Sequence, residues 1–449
     1  MRGKLFGTNG IRGETKTFFT SEFCFRIGAT FNAFLKENGK QGTIAVAMDP
    51  RPGSQRIKTN LITGLGGDWQ ITDQGIIPTP CLTYYVKENN LAGGIMITGS
   101  HVEEELNGLK FFFEGEEVSK KREKEIETIF FDQFENKQFQ KEALPEIKKG
   151  NQAKELYQEM LVNLAKGKLN RFRIIVDAGN GTQSEIMPSV LKKLGAEIIE
   201  QNCDLSKKLL TRDTEEQNSF PRLIEATKEI GADLAMAYDP DGDRAIFITE
   251  KGEFLPGGVS ASIIALNEPG ETIVTPINTS SVVNHIGKKV FRTKVGATYV
   301  AEKMKEKGVD FGFESNGGTI SARFHYGRDG GITTIKMFNS LLDQDKSLSQ
   351  LAATLPKYYI IKDKLDCPSE LNKIILEKAK KAHQNYRIED LDGLKIWLGE
   401  ETWVLYRPSG NAPEFRVFAE SRDEQEAKKL VKQGLNLIQE VIDSNQKNA

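Results

Sequence analysis

Three carboxylates alternate along Asp239-Pro240-Asp241-Gly242-Asp243-Arg244, directly after the apolar run Leu234-Ala235-Met236-Ala237. Alternate acids with a glycine among them can turn several oxygens toward one point, and a hard divalent cation such as Mg²⁺ is held by oxygen in this way. The pattern predicts Asp239, Asp241 and Asp243 as metal ligands at the end of a strand. The same spacing fits positions 1, 3 and 5 of an EF-hand loop, with Glu250 at position 12. Position 6, however, is Arg244 where that loop needs glycine, and Ala245-Ile246-Phe247-Ile248-Thr249 reads as strand rather than helix, so a calcium loop is set aside.

Three further loops carry chemistry-bearing residues. Ser100 lies in Thr98-Gly99-Ser100-His101-Val102-Glu103-Glu104-Glu105, with Lys110 ten residues on. A serine at a strand end, with His101 beside it and an amine downstream, has the parts of an activated nucleophile. No Gly-x-Ser-x-Gly elbow surrounds it, which argues against serine-hydrolase chemistry. Glu314-Ser315-Asn316-Gly317-Gly318 offers a carboxylate, a hydroxyl and an amide, suited to gripping vicinal sugar hydroxyls. Arg407-Pro408-Ser409-Gly410-Asn411 can aim a guanidinium, a hydroxyl and consecutive backbone N–H groups at one phosphate.

The elements that position these loops follow from hydrophobic periodicity. Thr43 to Asp49 and Phe172 to Asp177 are short apolar runs ending in a carboxylate, and a helix is expected around Gln183 to Leu194 before a strand at Glu197-Ile198-Ile199. Such alternation predicts βαβ units with mainly parallel strands. A weak internal repeat supports three of them: the strands before Gly99, Asp239 and Glu314 each lead into a polar, glycine-containing loop, the place where α/β folds bind ligands. From about Asp366 the pattern changes to a helix (Glu370 to His383), strands at 395–398, 403–406 and 414–419, and a helix from about Asp423 to Ile442, which predicts a fourth, α+β unit. The expected domains are 1–150, 151–254, 255–362 and 363–449. Segments 134–154 and 356–366, rich in Lys and Glu or mixed, are expected to be connections.

At 449 residues the chain is too long for a single core. A net charge of −2 gives no overall field for nucleic acid or membranes, so an anionic ligand must be gathered by local cations and N–H groups. Cys24, Cys81, Cys203 and Cys367 show no metal-ligand spacing and read as buried or incidental thiols of a reducing cytoplasm. No run approaches a membrane span.

Taken in order, Phe6-Gly7-Thr8-Asn9-Gly10-Ile11-Arg12-Gly13, Thr98-Gly99-Ser100-His101, Asp239 to Arg244, Glu314 to Gly318, Gly327-Arg328-Asp329-Gly330 and Arg407 to Asn411 resemble the α-D-phosphohexomutases across essentially the whole chain. The resemblance, to archaeal-type members most of all, implies three tandem related α/β domains and a C-terminal phosphate-binding domain, heart-shaped around a central cleft. It implies Mg²⁺-dependent exchange of hexose 1-phosphate and 6-phosphate, with glucose, mannose or glucosamine as the sugar and a hexose 1,6-bisphosphate as intermediate and activator. Ser100 would carry the phosphoryl group and complete the metal shell of Asp239, Asp241 and Asp243. Lys110 would sit near the transferring proton, Arg12 would support the phosphoryl group, and His101 would be their catalytic neighbour. Glu314 and Asn316 would hold sugar hydroxyls, with Arg244 also binding substrate. Arg407, Ser409, Gly410 and Asn411 would clamp the phosphate that is not reacting. A sugar phosphate is then the expected partner, and monomer or homodimer the expected assembly.

The chain departs from the family pattern around the serine. Gly99 replaces the usual Ala, and Val102 and Glu103 stand where Asn-Pro is usual. Asn9 and Asn411 are milder changes. The acidic triplet Glu103-Glu104-Glu105 lies close in sequence to a would-be phosphoserine; in water a like-charge pair at about 8 Å costs roughly 0.5 kcal/mol, tolerable if the triplet faces solvent. Two readings follow: an active mutase, or a weakly active or inactive paralogue that binds sugar phosphates.

Overall fold

The computed structural model describes residues 4–7, 10–138, 144–410 and 412–448, with side chains to residue 445. The chain builds four sheets in succession. In the first, Thr43–Met48 lies between Gln70–Ile76 and Gly93–Ile97, parallel to both. Its apolar, partly β-branched sequence suits a strand covered on both faces. Ile44 and Val46 pack with Ile27, Phe31 and Leu61 of the helices Ser21–Glu37 and Ser54–Leu65, while Ala45 and Ala47 pack with Cys81, Leu82 and Val86 of the helix Thr79–Glu88. The core containing Ala45 continues without a break through Ile174, Met236, Phe311 and Phe338, so the first three units share one apolar interior.

The internal repeat takes a definite form. Gly93–Ile97, Leu234–Tyr238 and Phe311–Phe313 are each followed by a loop and then by an antiparallel partner: Leu106–Phe113, Ala245–Thr249 and Thr319–Ser321. Each polar loop thus connects a strand with at least one parallel neighbour to a strand that turns back beside it. The Asp239–Arg244 loop is flanked by strands, with Tyr238 paired to Ala245, which is incompatible with the two helices of an EF-hand. The expected helix is shorter than its pattern, Ile186–Lys193.

The C-terminal sheet is antiparallel throughout, in the order Tyr359–Asp366, Glu414–Ser421, Trp403–Pro408, Leu394–Trp397, Arg387–Glu389. Helices Asn372–Ala382 and Glu424–Asn448 accompany it. Trp397, Trp403, Leu405 and Phe418 meet Ile277 of the third unit in a separate apolar contact. The fold is therefore mixed α/β, three related units and one α+β unit, as expected.

Both expected connections prove to contain strands. Glu146–Lys149 adds a parallel strand beside Gln70–Ile76, and Tyr359–Asp366 pairs over eight residues with Glu414–Ser421. Each is an edge strand, and edges tolerate the charged side chains that blunt sheet-to-sheet association, so apolar alternation is weak there. Among the described residues, no helix is long and apolar enough to cross a membrane. The four cysteines are unpaired, Cys24, Cys81 and Cys367 buried and Cys203 half-buried.

Candidate active site

The loop after Gly93–Ile97 carries Ser100 in a left-handed conformation, φ +54°, which a non-glycine residue adopts only where the surroundings enforce it. Its Oγ lies 3.2 Å from Asp239 Oδ2 and 3.5 Å from His101 Nδ1. Two segments 139 residues apart in the sequence therefore meet at one oxygen.

The three aspartates are buried and each brings a carboxylate oxygen within 4.8 Å of the others. Lys110, 1% exposed on Leu106–Phe113, places Nζ 2.7 Å from Asp241 Oδ2 and 3.2 Å from Asp243 Oδ2. Burial opposes the lysine's charge, but Asp241 and Asp243 outweigh it and its pKa is raised. Asp241 is likewise buried, yet Lys110 and the Thr79 hydroxyl, 2.6 Å away, hold it well below the usual carboxylate range. Asp239 is pushed well up, by burial first and then by Asp243 and Asp241.

Asp241 Oδ1 and Asp243 Oδ1 are buried with no hydrogen-bond partner. Two orphaned carboxylate oxygens are costly unless a cation meets them. With Asp239 and Ser100 Oγ they form an all-oxygen set, the chemistry a hard cation such as Mg²⁺ requires. The residues present therefore fit the metal.

Arg328 bridges this cluster to the third unit, Nη2 2.7 Å from Asp243 Oδ2 and Nη1 2.7 Å from Glu314 Oε2. The two loops also touch through their backbones: Ala245 N–H donates to Gly317 O at 3.0 Å. Gly317 has φ +93°, and a Cβ there would stand 2.5 Å from Ala245 O, so only glycine permits this approach. Asn316 Oδ1 accepts from Gly318 N–H, and its carbonyl accepts from Thr214. Arg244 is buried, its backbone N–H on Asp239 Oδ1 at 3.1 Å and its Nε 3.7 Å from Asp243 Oδ1.

Above the cluster opens a cleft of about 570 Å³ lined by loops of all four units. It exposes Ser100, His101, Arg12, Arg244, Glu314, Asn316, Arg328, Arg407, Ser409, Gly410 and Arg416. Six cationic side chains, counting Lys4, face one carboxylate there, so a chain of nearly neutral net charge concentrates positive potential in one place. Arg12 donates to the Thr98 carbonyl, and burial lowers its pKa. The neighbouring guanidinium groups, Arg244 first and Arg328 and Arg12 after it, push the pKa of His101 down. Arg407 is oriented by Asp392, Nε to Oδ2 at 2.7 Å. Asn9 and Asn411 lie outside the described residues.

Every described site residue predicted from the sequence lies in the cleft or in the cluster beneath it. Arg328, Arg416 and Thr79 escaped the sequence reading as site residues. Arg328 stood in the recognised Gly327-Arg328-Asp329-Gly330 motif, whereas Thr79 and Arg416 have no local signature. The acidic triplet is spread out: Glu103 and Glu105 are exposed, and Glu104 pairs with Lys208 at 3.1 Å.

Comparison with known proteins gives this arrangement its family. Residues 3–137, 151–252 and 259–359 match the models for phosphoglucomutase/phosphomannomutase α/β/α domains I, II and III. The chain belongs to the phosphoglucomutase/phosphomannomutase family. It is 34% identical to a phosphoglucomutase/phosphomannomutase of Thermococcus kodakarensis, covering 98% of this chain and 99% of the relative. It is 31% identical to a phosphoglucosamine/phosphogalactosamine mutase of Sulfurisphaera tokodaii, covering 97% and 99%. The crystal structure of a family protein from Burkholderia thailandensis shares the fold at TM-score 0.82 and 21% identity, over 97% of both chains. Family membership makes the protein an intramolecular phosphotransferase, a phosphomutase of the isomerase class.

Proposed function

We propose that this phosphomutase interconverts hexose 1-phosphate and hexose 6-phosphate, with glucose, mannose or glucosamine as the sugar, through a phosphoserine at Ser100 and a bisphosphorylated sugar. The observation that carries the reading is Ser100 Oγ at 3.2 Å from Asp239, beside two buried aspartate oxygens that lack a hydrogen-bond partner. Mg²⁺ bound by Asp239, Asp241, Asp243 and the seryl phosphate would neutralise charge on the transferring phosphoryl group.

The rest of the chemistry falls to the chain's own residues. Phosphoryl transfer needs positioning and charge compensation more than covalent help. The bond from Ser100 Oγ to phosphorus breaks as the O6 hydroxyl of a hexose 1-phosphate bonds to it. One proton leaves that hydroxyl and one must arrive on Oγ. Lys110, with Nζ 2.7 Å from Asp241 Oδ2 and 3.2 Å from Asp243 Oδ2, stands beside the reacting group to relay that proton, taking one from the hydroxyl and giving one to Oγ. Arg12 faces the phosphoryl group, while Arg407, Ser409, Gly410 and Asn411 clamp the distant phosphate. Glu314 and Asn316 bind sugar hydroxyls, with Arg244 beside them. The bisphosphate turns over and returns its 1-phosphate to Ser100, a move that needs a clamp accepting either end. Exposure of Glu103 and Glu105 and the pairing of Glu104 with Lys208 weaken repulsion toward a phosphoserine, which supports the active reading over a weakly active or inactive paralogue.

Intact mass after incubation with glucose 1,6-bisphosphate and Mg²⁺ tests the reading. One added phosphate, lost in Ser100→Ala together with turnover of glucose, mannose or glucosamine 1-phosphate, is the expected result. A chain that never takes phosphate and turns over none of the three would overturn it.

A further inference from the structure

Outside the lining of the cleft lies a buried cation that phosphoryl transfer, as described, does not touch. Arg51 is 2% exposed. Its guanidinium forks: Nε donates to Asp49 Oδ2 at 2.8 Å, Nη1 to the Leu106 carbonyl at 2.6 Å and the Glu103 carbonyl at 3.3 Å, and Nη2 to the Ser100 carbonyl at 2.5 Å. One planar group therefore ties the start of the serine loop to its end. Asp49 completes the circuit, because Thr98 Oγ1 donates to Asp49 Oδ2 at 2.6 Å and accepts the Ser100 N–H at 2.7 Å. The N–H and C=O of Ser100 both lead back to the same ion pair, on either side of its left-handed backbone.

Gly99 belongs to this arrangement. A Cβ at position 99 would stand 1.8 Å from Arg51 Nη1, so the guanidinium occupies the space an alanine methyl would fill. The requirement is for room, since Gly99 is not among the residues with positive φ. Gly99 and the seat of Arg51 are thus sterically linked.

We propose that Arg51 is a positioning residue for phosphoryl transfer, setting Ser100 Oγ toward Asp239 through the backbone of Ser100, and that glycine at 99 is what admits its guanidinium. This rests on the reading of Ser100 as the phosphate carrier. An ammonium in place of the guanidinium can still pair with Asp49 but cannot fork to Ser100 and Leu106 together.

The test uses the full chain with Mg²⁺ and glucose 1,6-bisphosphate, comparing Arg51→Lys, Gly99→Ala and the double variant. Arg51→Lys is expected to lower the melting temperature, since buried carbonyls lose their donors, and to keep the KM for hexose 1-phosphate, while kcat and the rate of phosphate incorporation at Ser100 fall by about a hundredfold, the scale of an ångström's misplacement. Gly99→Ala is expected to lower the same two rates, and the double variant to lose less than the product of the single losses, as residues in contact do. A wild-type incorporation rate in Arg51→Lys, a loss confined to KM or melting temperature, or fully independent effects would overturn the inference while leaving the mutase reading intact. Absence of phosphate transfer in the unsubstituted chain would overturn both. Should Arg51→Lys fail to fold, Gly99→Ala with unimpaired incorporation overturns the inference by itself, and impaired incorporation at unchanged KM supports it.

Discussion

Arg328 and Asp243 form an ion pair, Nη2 to Oδ2 at 2.7 Å, with both side chains nearly inaccessible. The same guanidinium holds Glu314, so one cation compensates a carboxylate of the aspartate loop and one of the glutamate loop. Burial opposes its charge, but Asp243 and Glu314 raise its pKa overall. Replacing it by Met takes the ion pair from buried Glu314 and leaves Asp243 to Lys110 and Arg244, which is expected to cost about 3 kcal/mol in chemical denaturation. Arg328→Lys is expected to recover part of that loss, because an ammonium cannot span both partners in the fixed fork of a guanidinium. An unchanged denaturation midpoint in Arg328→Met would remove the bridge from any account of stability.

Ser100→Ala tests the nucleophile separately from the scaffold. Among the described residues Ser100 Oγ makes two hydrogen-bond contacts, to Asp239 and His101, so its loss should leave the melting temperature nearly unchanged. Turnover is expected to fall at least about 10⁴-fold, the scale seen when a covalent nucleophile is removed. Sugar phosphate binding, measured by calorimetry, should persist, because the cationic side chains of the cleft remain.

Metal binding has a readout independent of activity. The orphaned oxygens of Asp241 and Asp243 make the metal-free cluster a destabilised one. Mg²⁺ at a hundredfold excess over its dissociation constant is expected to add about 2.7 kcal/mol of stability, visible as a rise in melting temperature. Asp243→Asn should abolish most of that rise, and chelation should stop turnover. A melting temperature indifferent to Mg²⁺ in the unsubstituted chain would count against the aspartates as its ligands.

The aspartate cluster and the serine loop were legible in the sequence because alternating carboxylates and strand-ended glycine loops are local patterns. Their meeting was not local: 139 residues separate Ser100 from Asp239, and only the resemblance brought them together in advance. Arg328 shows the limit from the other side. Its motif was visible, but nothing in Gly327-Arg328-Asp329-Gly330 says that the guanidinium turns toward partners 14 and 85 residues away. Arg51 was hidden for the same reason, its acceptors being mostly backbone carbonyls that carry no sequence signal. The strands Glu146–Lys149 and Tyr359–Asp366 were missed because partners supplied by the sheet, not their own apolar pattern, make them strands.

Glu123 supplies a pH test away from the cleft. On the helix Lys120–Ile129 it is largely buried, with Lys120 Nζ 2.8 and 2.9 Å from its two oxygens. Burial pushes its carboxyl up to about 7 from an unfolded value of 4.5; Lys120 pulls the other way, and Glu117 and Glu127 add to the rise. Because the folded state holds this proton more tightly, the contribution to stability is complete below pH 4.5 and is lost as pH rises through 7. Glu123→Gln keeps an acceptor for Lys120 and carries no charge. It is therefore expected to flatten stability against pH across that window and, allowing for solvent screening, to be the more stable protein at pH 8 by about 1 kcal/mol. Parallel denaturation curves for the two proteins from pH 5 to pH 8 would show instead that the carboxyl titrates near its ordinary value.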